Sequence, residues 1–316
     1  MKNNRKLRAF SLIEVSIVVL IIGILIAGIT QSSRLLAQAK VNTAKSLTQS
    51  SPASSINGLS LWIESTLDTS FIATETDDGT AISEWRDSNP QVSTKADFKA
   101  GGTAPKYMLN AINGIPAVLF DGSASSMSAP NFSDLARNQS TIFAVVKLPS
   151  TLASQVIVSK RGDDDTDTIN FQVSTNSDTA VGWSYCDGAA QDAVDCTIEG
   201  ASAAVVGTNS YIYSSVYTAN TDLVTDSTTG GIVIFQNGKV LSRTETDETA
   251  NANPASAGNN DITIGATSFK PNPTNFFGGY LGELIIYDRA LKTEERQSIE
   301  AYLSKKWGIG VDTAAY

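Results

Sequence analysis

Residues 278–309 read GGYLGELIIYDRALKTEERQSIEAYLSKKWGI, and the apolar period changes partway along. Residues 279–291 are rich in β-branched and aromatic side chains, the composition of a strand. After them Ile299, Tyr302, Leu303 and Trp307 recur at helical spacing, predicting a helix that docks by one apolar face. Thr293 is placed to cap that helix, with Glu294 and Glu295 in its first turn and Lys305 and Lys306 in its last. Gly308 follows as the stop.

Outward from this segment the chain keeps to strands. LSLWIES (59–65), PAVLFDG (116–122), STIFAVVKL (140–148), QVIVSK (155–160), TINFQVST (168–175), YIYSSVYTA (211–219), GIVIFQNGKVL (231–241) and DITIGAT (261–267) are short and bounded by Gly, Asn, Asp or Pro. Asn237-Gly238 accepts the positive φ values of a type I′ turn, so residues 235–240 read as a tight hairpin. Many strands without alternating helices predict a mainly β fold, an antiparallel sandwich.

The N-terminus is of another kind. Lys2, Arg5, Lys6 and Arg8 precede FSLIEVSIVVLIIGILIAGIT (10–30), where Glu14 is the only charge. At about 1.5 Å per residue, this run can cross a bilayer core of about 30 Å as a transmembrane helix. The basic cluster should stay cytoplasmic, placing the rest outside. A carboxylate in such a segment marks a function with a partner. A secretory signal cut after Ala37-Gln38-Ala39 is the simpler alternative, but its apolar core would be shorter and would gain nothing from Glu14. The helix pattern continues through Leu35, Leu36, Ala39, Val41 and Leu47 to Gln49. SSPASSINGLS (50–60) then predicts a hinge, leaving the β domain on a short flexible stalk.

Of 316 residues, 41% are hydrophobic, ample for one large core, and the net charge is −9. Without the four basic residues of the leader, 19 basic residues face 32 acidic ones, a net charge of −13. That balance argues against a nucleic-acid partner, which requires a basic footprint. Cys186 and Cys196 are the only cysteines, and outside the cytoplasm such a pair is expected to oxidise. Zinc is a poor alternative because the chain has no histidine.

Residues 6–28, KLRAFSLIEVSIVVLIIGILIAG, resemble the prepilin signature of type IV pilins and type II secretion pseudopilins. The resemblance implies cleavage by prepilin peptidase between Ala9 and Phe10, with Phe10 then N-methylated. It makes Glu14 the glutamate that pairs neighbouring subunits as they leave the membrane, by meeting a partner's terminal amine. Gly23 sits where the family often has glycine. Ala9 replaces the usual Gly, and Gln31 stands where major pilins often carry a kinking Pro.

Residues 59–310 resemble the concanavalin A-like, laminin-G-like jelly-roll domains of bacterial surface proteins. The carriers are Leu61-Trp62, Trp85-Arg86-Asp87, Pro105-Lys106-Tyr107, Asn113-Gly114-Ile115-Pro116, Phe120-Asp121-Gly122 and the segment 278–309. The chain then divides into a leader (1–9), a pilin-like helix forming membrane and filament core (10–49), a linker (50–58), the sandwich (59–310) and a tail (311–316).

Related glucanases carry paired carboxylates on one strand, about 5–5.5 Å apart for retaining hydrolysis. The nearest cluster here, Glu245-Thr246-Asp247-Glu248, lacks the final acid of that pattern and reads as a solvated loop. With no histidine, the usual base for a Ser or Cys nucleophile is also missing. No catalytic residue is assigned, and the domain is not expected to be an enzyme. Asp163, Asp165 and Asp167 alternate in a run that could converge on Ca²⁺. An EF-hand is excluded because Thr168 and Ser174 occupy its glycine and glutamate places. Trp62, Trp85 and Trp307 read as core. Trp183 and Tyr185, beside the 186–196 loop, are the candidate ligand-binding residues.

These readings predict a pilin-like minor subunit of a type IV pilus or type II secretion pseudopilus. It would span the inner membrane once before assembly. The jelly roll would then be displayed in the periplasm or outside the cell, for adhesion or for glycan or protein binding. Its partners would be prepilin peptidase and other pilin or pseudopilin subunits. The alternative is a membrane-tethered glycan-active enzyme with the same fold.

Overall fold

The computed structural model describes residues 11–130, 139–148, 155–161, 169–175, 180–186, 196–202, 209–218, 231–245, 261–267 and 273–312. Helix α1 runs from Leu12 to Gln49. Ser11 caps it: its oxygen accepts the Ile13 N–H at 3.4 Å, and Glu14 accepts the Ser11 N–H at 2.9 Å, the reciprocal capping box.

The described strands are β1 (Leu59–Glu64), β2 (Thr80–Ala81), β3 (Glu84–Trp85), β4 (Phe98–Ala100), β5 (Lys106–Ile112), β6 (Ile115–Asp121), β7 (Met127–Ala129), β8 (Gln139–Lys147) and β9 (Gln155–Arg161). They continue with β10 (Ile169–Thr175), β11 (Ala180–Cys186), β12 (Cys196–Ser202), β13 (Ser210–Thr218), β14 (Gly231–Gln236), β15 (Lys239–Val240), β16 (Ser242–Glu245), β17 (Ile262–Ile264) and β18 (Gly278–Tyr287). Helix α2 (Thr293–Trp307) closes the domain.

Two antiparallel sheets face each other. One is ordered β15-β14-β13-β8-β18-β6-β5-β2, the other β16-β12-β11-β10-β9-β17-β7-β4-β3. Strand β18 is central: β8 pairs along one edge, while β6 and then β1 share the other. The predicted sandwich is therefore present. The turn at Asn237-Gly238 has φ of 50° and 78°, and joins β14 to β15 as expected of a type I′ hairpin.

The long apolar runs have a physical cause. Ile142, Ala144 and Val146 of β8, with Leu284 and Ile286 of β18, pack between the sheets. Their alternates Phe143, Val145, Ile285 and Tyr287 face outward, beneath Ile299, Leu303 and Trp307 of α2. Both faces are covered, so these strands lose the polar alternation of a half-exposed sheet. Glu64 and Glu283 break such runs and face the α2 side.

Gly282 stands at a register shift between Leu281 and Glu283. A Cβ there would lie 2.5 Å from the Trp307 ring. Gly282→Ala is expected to cost about 1–3 kcal/mol through overpacking. The check is a lower urea midpoint at unchanged m-value.

Two expectations are corrected. Residues 50–58 are not a hinge. Ala53 is fully buried, its carbonyl accepts the Tyr287 hydroxyl at 3.0 Å, Arg289 Nε donates to Asn57 O at 2.8 Å, and Gln91 Nε2 donates to Ile56 O at 2.7 Å. The Pro and Ser residues that signal a break instead form a short 3₁₀ turn, Pro52–Ser54, capped by Ser51. The second concerns α2: Thr293 is its first helical residue and not its cap. Lys292 holds the cap place, and its N–H donates to Glu295 at 2.9 Å.

Candidate functional site

Helix α1 has two unlike halves. From Leu12 to Ile26 its large apolar side chains are exposed, between 49% and 89%, on every face of the helix. Among the described residues, no helix is long and apolar enough to cross a membrane. Further along, the helix docks: Ala44 is buried in an apolar cluster with Trp62, Ile299, Leu303 and Trp307.

A β hairpin fixes this junction. Asn113 and Gly114, at φ 52° and 86°, form the turn between β5 and β6. Asn113 Nδ2 donates to Trp307 O at 2.8 Å, taking up a carbonyl at the end of α2. On the turn's other side Lys40 of α1 donates to Asn113 O at 3.3 Å. One turn thus touches both helices. Lys45 adds an ion pair with Asp68 at 2.5 Å.

Under α2 lies a fully buried ion network. Lys306 Nζ is 2.9 Å from Glu64 Oε2 and 2.9 Å from Glu283 Oε2, and all three residues are at most 3% exposed. Glu283 also accepts Trp62 Nε1 at 2.8 Å, the Tyr302 hydroxyl at 2.8 Å and Trp307 Nε1 at 2.9 Å. Glu64 accepts the N–H groups of Thr66 and Leu67, each at 2.8 Å, and the Ser70 hydroxyl. The Tyr302 oxygen lies 3.4 Å from Thr48 Oγ1, extending the network to α1.

Burial works to raise the Glu64 pKa, but the Lys306 charge and the Ser70 and Thr66 hydrogen bonds outweigh it and hold the group at about 2. Burial pulls the Lys306 pKa down, yet Glu283 and Glu64 drive it well above the usual lysine range. A second buried pair, Arg296–Glu300 at 2.6 Å, lies on the same helix and meets Ser214 at 2.5 Å. Every one of these donors and acceptors is matched, so the cluster stabilises architecture and leaves no group poised to react.

Sequence reasoning missed Glu64, Glu283 and Lys306. The signal was there: two acids inside apolar strands and a lysine on the apolar face of α2 require one another.

The residues singled out in the sequence fall as follows. Trp62, Trp85 and Trp307 are buried, as read. Glu14 is exposed near the start of α1, bonded to its own cap. The β11–β12 register sets Cys186 opposite Cys196, and Trp183 and Tyr185 stand two positions apart on β11. Glu245 ends β16, opposite Glu199. Ala9, Phe10, Asp163, Asp165, Asp167, Asp247 and Glu248 lie outside the described residues.

Comparison with known proteins yields two family matches. Residues 121–295 match the concanavalin A-like lectin/glucanases superfamily, and residues 4–30 match the prokaryotic N-terminal methylation motif. No curated protein matches. Among solved structures, the binding domain of botulinum neurotoxin DC in complex with SialylT is similar at 12% identity, over 78% of this chain and 52% of that one, with a TM-score of 0.50. Trypanosoma rangeli sialidase bound to the inhibitor DANA is similar at 14% identity over 81% of this chain, with a TM-score of 0.49. The chain spans about a third, 34%, of that sialidase's length. Ruminococcus gnavus IT-sialidase CBM40 is 20% identical over 52% of this chain and 83% of its own, with a TM-score of 0.39. At such identities the likeness speaks for the fold alone. Sandwich, terminal helix and family match agree: the chain belongs to the concanavalin A-like lectin/glucanases superfamily, carried behind a pilin-type N-terminal methylation motif.

Proposed function

We propose that the chain is a minor pilin-like subunit of a type IV pilus or type II secretion pseudopilus. Prepilin peptidase cuts between Ala9 and Phe10, Phe10 is methylated, and the helix waits in the inner membrane, crossing it once. After assembly the jelly roll projects into the periplasm or beyond the cell. Its size favours a minor subunit, since this much bulk on every copy would crowd a thin filament.

The observation that carries this reading is α1 itself. Apolar side chains surround its first half, and the same uninterrupted helix ends locked into the domain core. Such a surface needs lipid or other helices around it, and a filament supplies both in turn. Ala37-Gln38-Ala39 lie in mid-helix, a poor substrate for a peptidase that binds extended chain.

The displayed domain serves binding and not turnover, with a glycan or protein as its ligand. The glycan-related names of the similar structures motivate a glycan first. The facing register of Cys186 and Cys196 supports a disulfide framing the loop beside Trp183 and Tyr185.

The test is expression with and without prepilin peptidase, read by intact mass and N-terminal sequencing. Loss of residues 1–9 and gain of one methyl group are expected only with the peptidase. An unchanged N-terminus, or a chain beginning at Lys40, overturns the reading.

A further inference from the structure

Two clefts open at the root of α1, one on each side of the contact between Lys40 and Asn113. The first, of about 470 Å³, lies between Arg34, Leu36, Lys40 and Val41 of the helix and Leu109 and Asn110 of the β5–β6 hairpin. The second, of about 520 Å³, lies between Lys40 and the end of α2, with Lys305 in its wall. Both are mainly apolar, and no acid lines either one. Leu36 and Leu109 are 62% and 46% exposed, so the apolar wall of the first cleft is uncovered. Asp78 accepts the Leu109 N–H at 2.9 Å and fixes the hairpin tip from outside the lining.

Arg34, Lys40 and Lys305 form a basic collar on a chain whose net charge is −9. Lys45 pairs with Asp68, and Lys306 with Glu64 and Glu283. Among the described residues no acid pairs with any of the three collar cations. Their height along the helix matters as much as their sign. On the pilin-like reading above, the hydrocarbon core ends near Thr30 before assembly. At about 1.5 Å per residue, Arg34 then stands about 6 Å beyond that edge and Lys40 about 15 Å. Polar headgroups occupy about 5–8 Å on each side of the core. Arg34 and the lower wall of the first cleft therefore lie at headgroup level, and Lys40 is within one Debye length, about 8 Å, of it.

We propose that the first cleft holds an anionic phospholipid of the leaflet facing the domain. Its phosphate meets Arg34, and its glycerol backbone and first methylenes lie against Leu36 and Leu109. Lys40 adds positive potential without leaving Asn113, and Lys305 adds more from the second cleft. A net-acidic domain is repelled by an acidic bilayer, and the collar gives it one side on which it can rest. A zwitterionic lipid offers the same phosphate but brings its own cation, so the cleft favours a lipid with net negative charge. The inference rests on the pilin-like reading above and adds a lipid to the state that precedes assembly.

The test places the full chain in nanodiscs of phosphatidylcholine mixed with phosphatidylglycerol. Native mass spectrometry of the chain released from them counts the lipid it retains. The wild type should retain phosphatidylglycerol in preference to phosphatidylcholine, and less of it as salt rises. Arg34→Gln should lower the retained fraction about fivefold. Leu109→Ser, which changes no charge, should lower it as well. Lys99→Gln, an exposed lysine on β4 of the opposite sheet, should leave it unchanged. Arg34 and Leu109 are exposed, so both variants should melt with the wild type. Equal retention of the two lipids by the wild type overturns the proposal, and so does wild-type retention by both Arg34→Gln and Leu109→Ser. Either result in a chain that is cleaved and membrane-embedded leaves the pilin-like reading standing. A wild-type chain absent from the membrane fraction of cells overturns that reading, and this site with it.

Discussion

Lys306→Met is expected to lower the free energy of unfolding by about 3–5 kcal/mol, the largest loss from any single side chain in the junction. The methionine fills most of the space, so the effect is electrostatic. Glu64 and Glu283 both lie 2.9 Å from the one nitrogen that separates them. Removing its charge leaves two carboxylates facing each other in a site without water access. The other donors to Glu64 and Glu283 are neutral groups from β1, the turn after it, and α2. They soften the repulsion without cancelling it. For a domain of this size the loss corresponds to a drop in Tm of roughly 10 °C. Lys305→Met, one residue earlier and exposed, is expected to stay within about 0.5 kcal/mol of the parent. Thermal melts of the detergent-solubilised chain compare the two, and equal melting temperatures would remove the network from any role in stability. Because Tyr302 also approaches Thr48 of α1, the damaged variant should become protease-sensitive first near Gln49.

The contrast between Lys305 and Lys306 shows where sequence reading stops. Both look like last-turn cations complementing a helix dipole. Helical spacing sets Lys306 on the face of Ile299, Tyr302 and Leu303, but only the packing of α2 on β18 reveals the two carboxylates that it meets there. The larger elements were legible because their cause is local. Strands β8, β13 and β18 are long strand-like runs, α2 has a helical period and a terminal glycine, and α1 opens on a continuous apolar stretch. Strands β2, β3, β4 and β7 are two or three residues long, too short for alternation to be counted. They form because neighbouring strands hold them in register. The false hinge at 50–58 has the same origin. Pro52 and its serines do break the helix, but a broken helix is not a mobile one. Tyr287, Arg289 and Gln91, distant in sequence, bind the carbonyls of that turn. The N-terminal methylation motif, matched over residues 4–30, was legible for a different reason, since such a signal is carried by local sequence.

Acid is expected to act in opposite directions on the wild-type chain and on Lys306→Met. In the wild type the Glu64 carboxyl is held at about 2, against an ordinary value of 4.5. A depressed carboxylate stabilises the fold fully above about 4.5, and the contribution disappears as pH falls from there towards 2. The loss is on the order of 3 kcal/mol. Lys306, whose pKa is raised, remains charged throughout this range; its own contribution is lost only in strong alkali. In Lys306→Met the largest influence depressing Glu64 is gone, while burial and the facing Glu283 carboxylate remain against the neutral Ser70 and Thr66 hydrogen bonds. Desolvation then raises the carboxyl's pKa above its unfolded value, so protonation favours the folded state and stability rises as pH falls through that range. Other acids titrate as well. Arg289 holds Glu295 at about 2, and despite some burial the N–H groups of Ala124, Ser123 and Ser125 hold Asp121 well below the carboxylate range. These groups are common to both chains and cancel in the difference. Urea midpoints at pH 7, 5 and 3 should therefore converge, with the variant far less stable at pH 7 and the gap narrowed at pH 3. Parallel curves would mean that the Glu64 carboxyl does not feel Lys306, and that the docking of α1 and α2 rests on apolar packing alone.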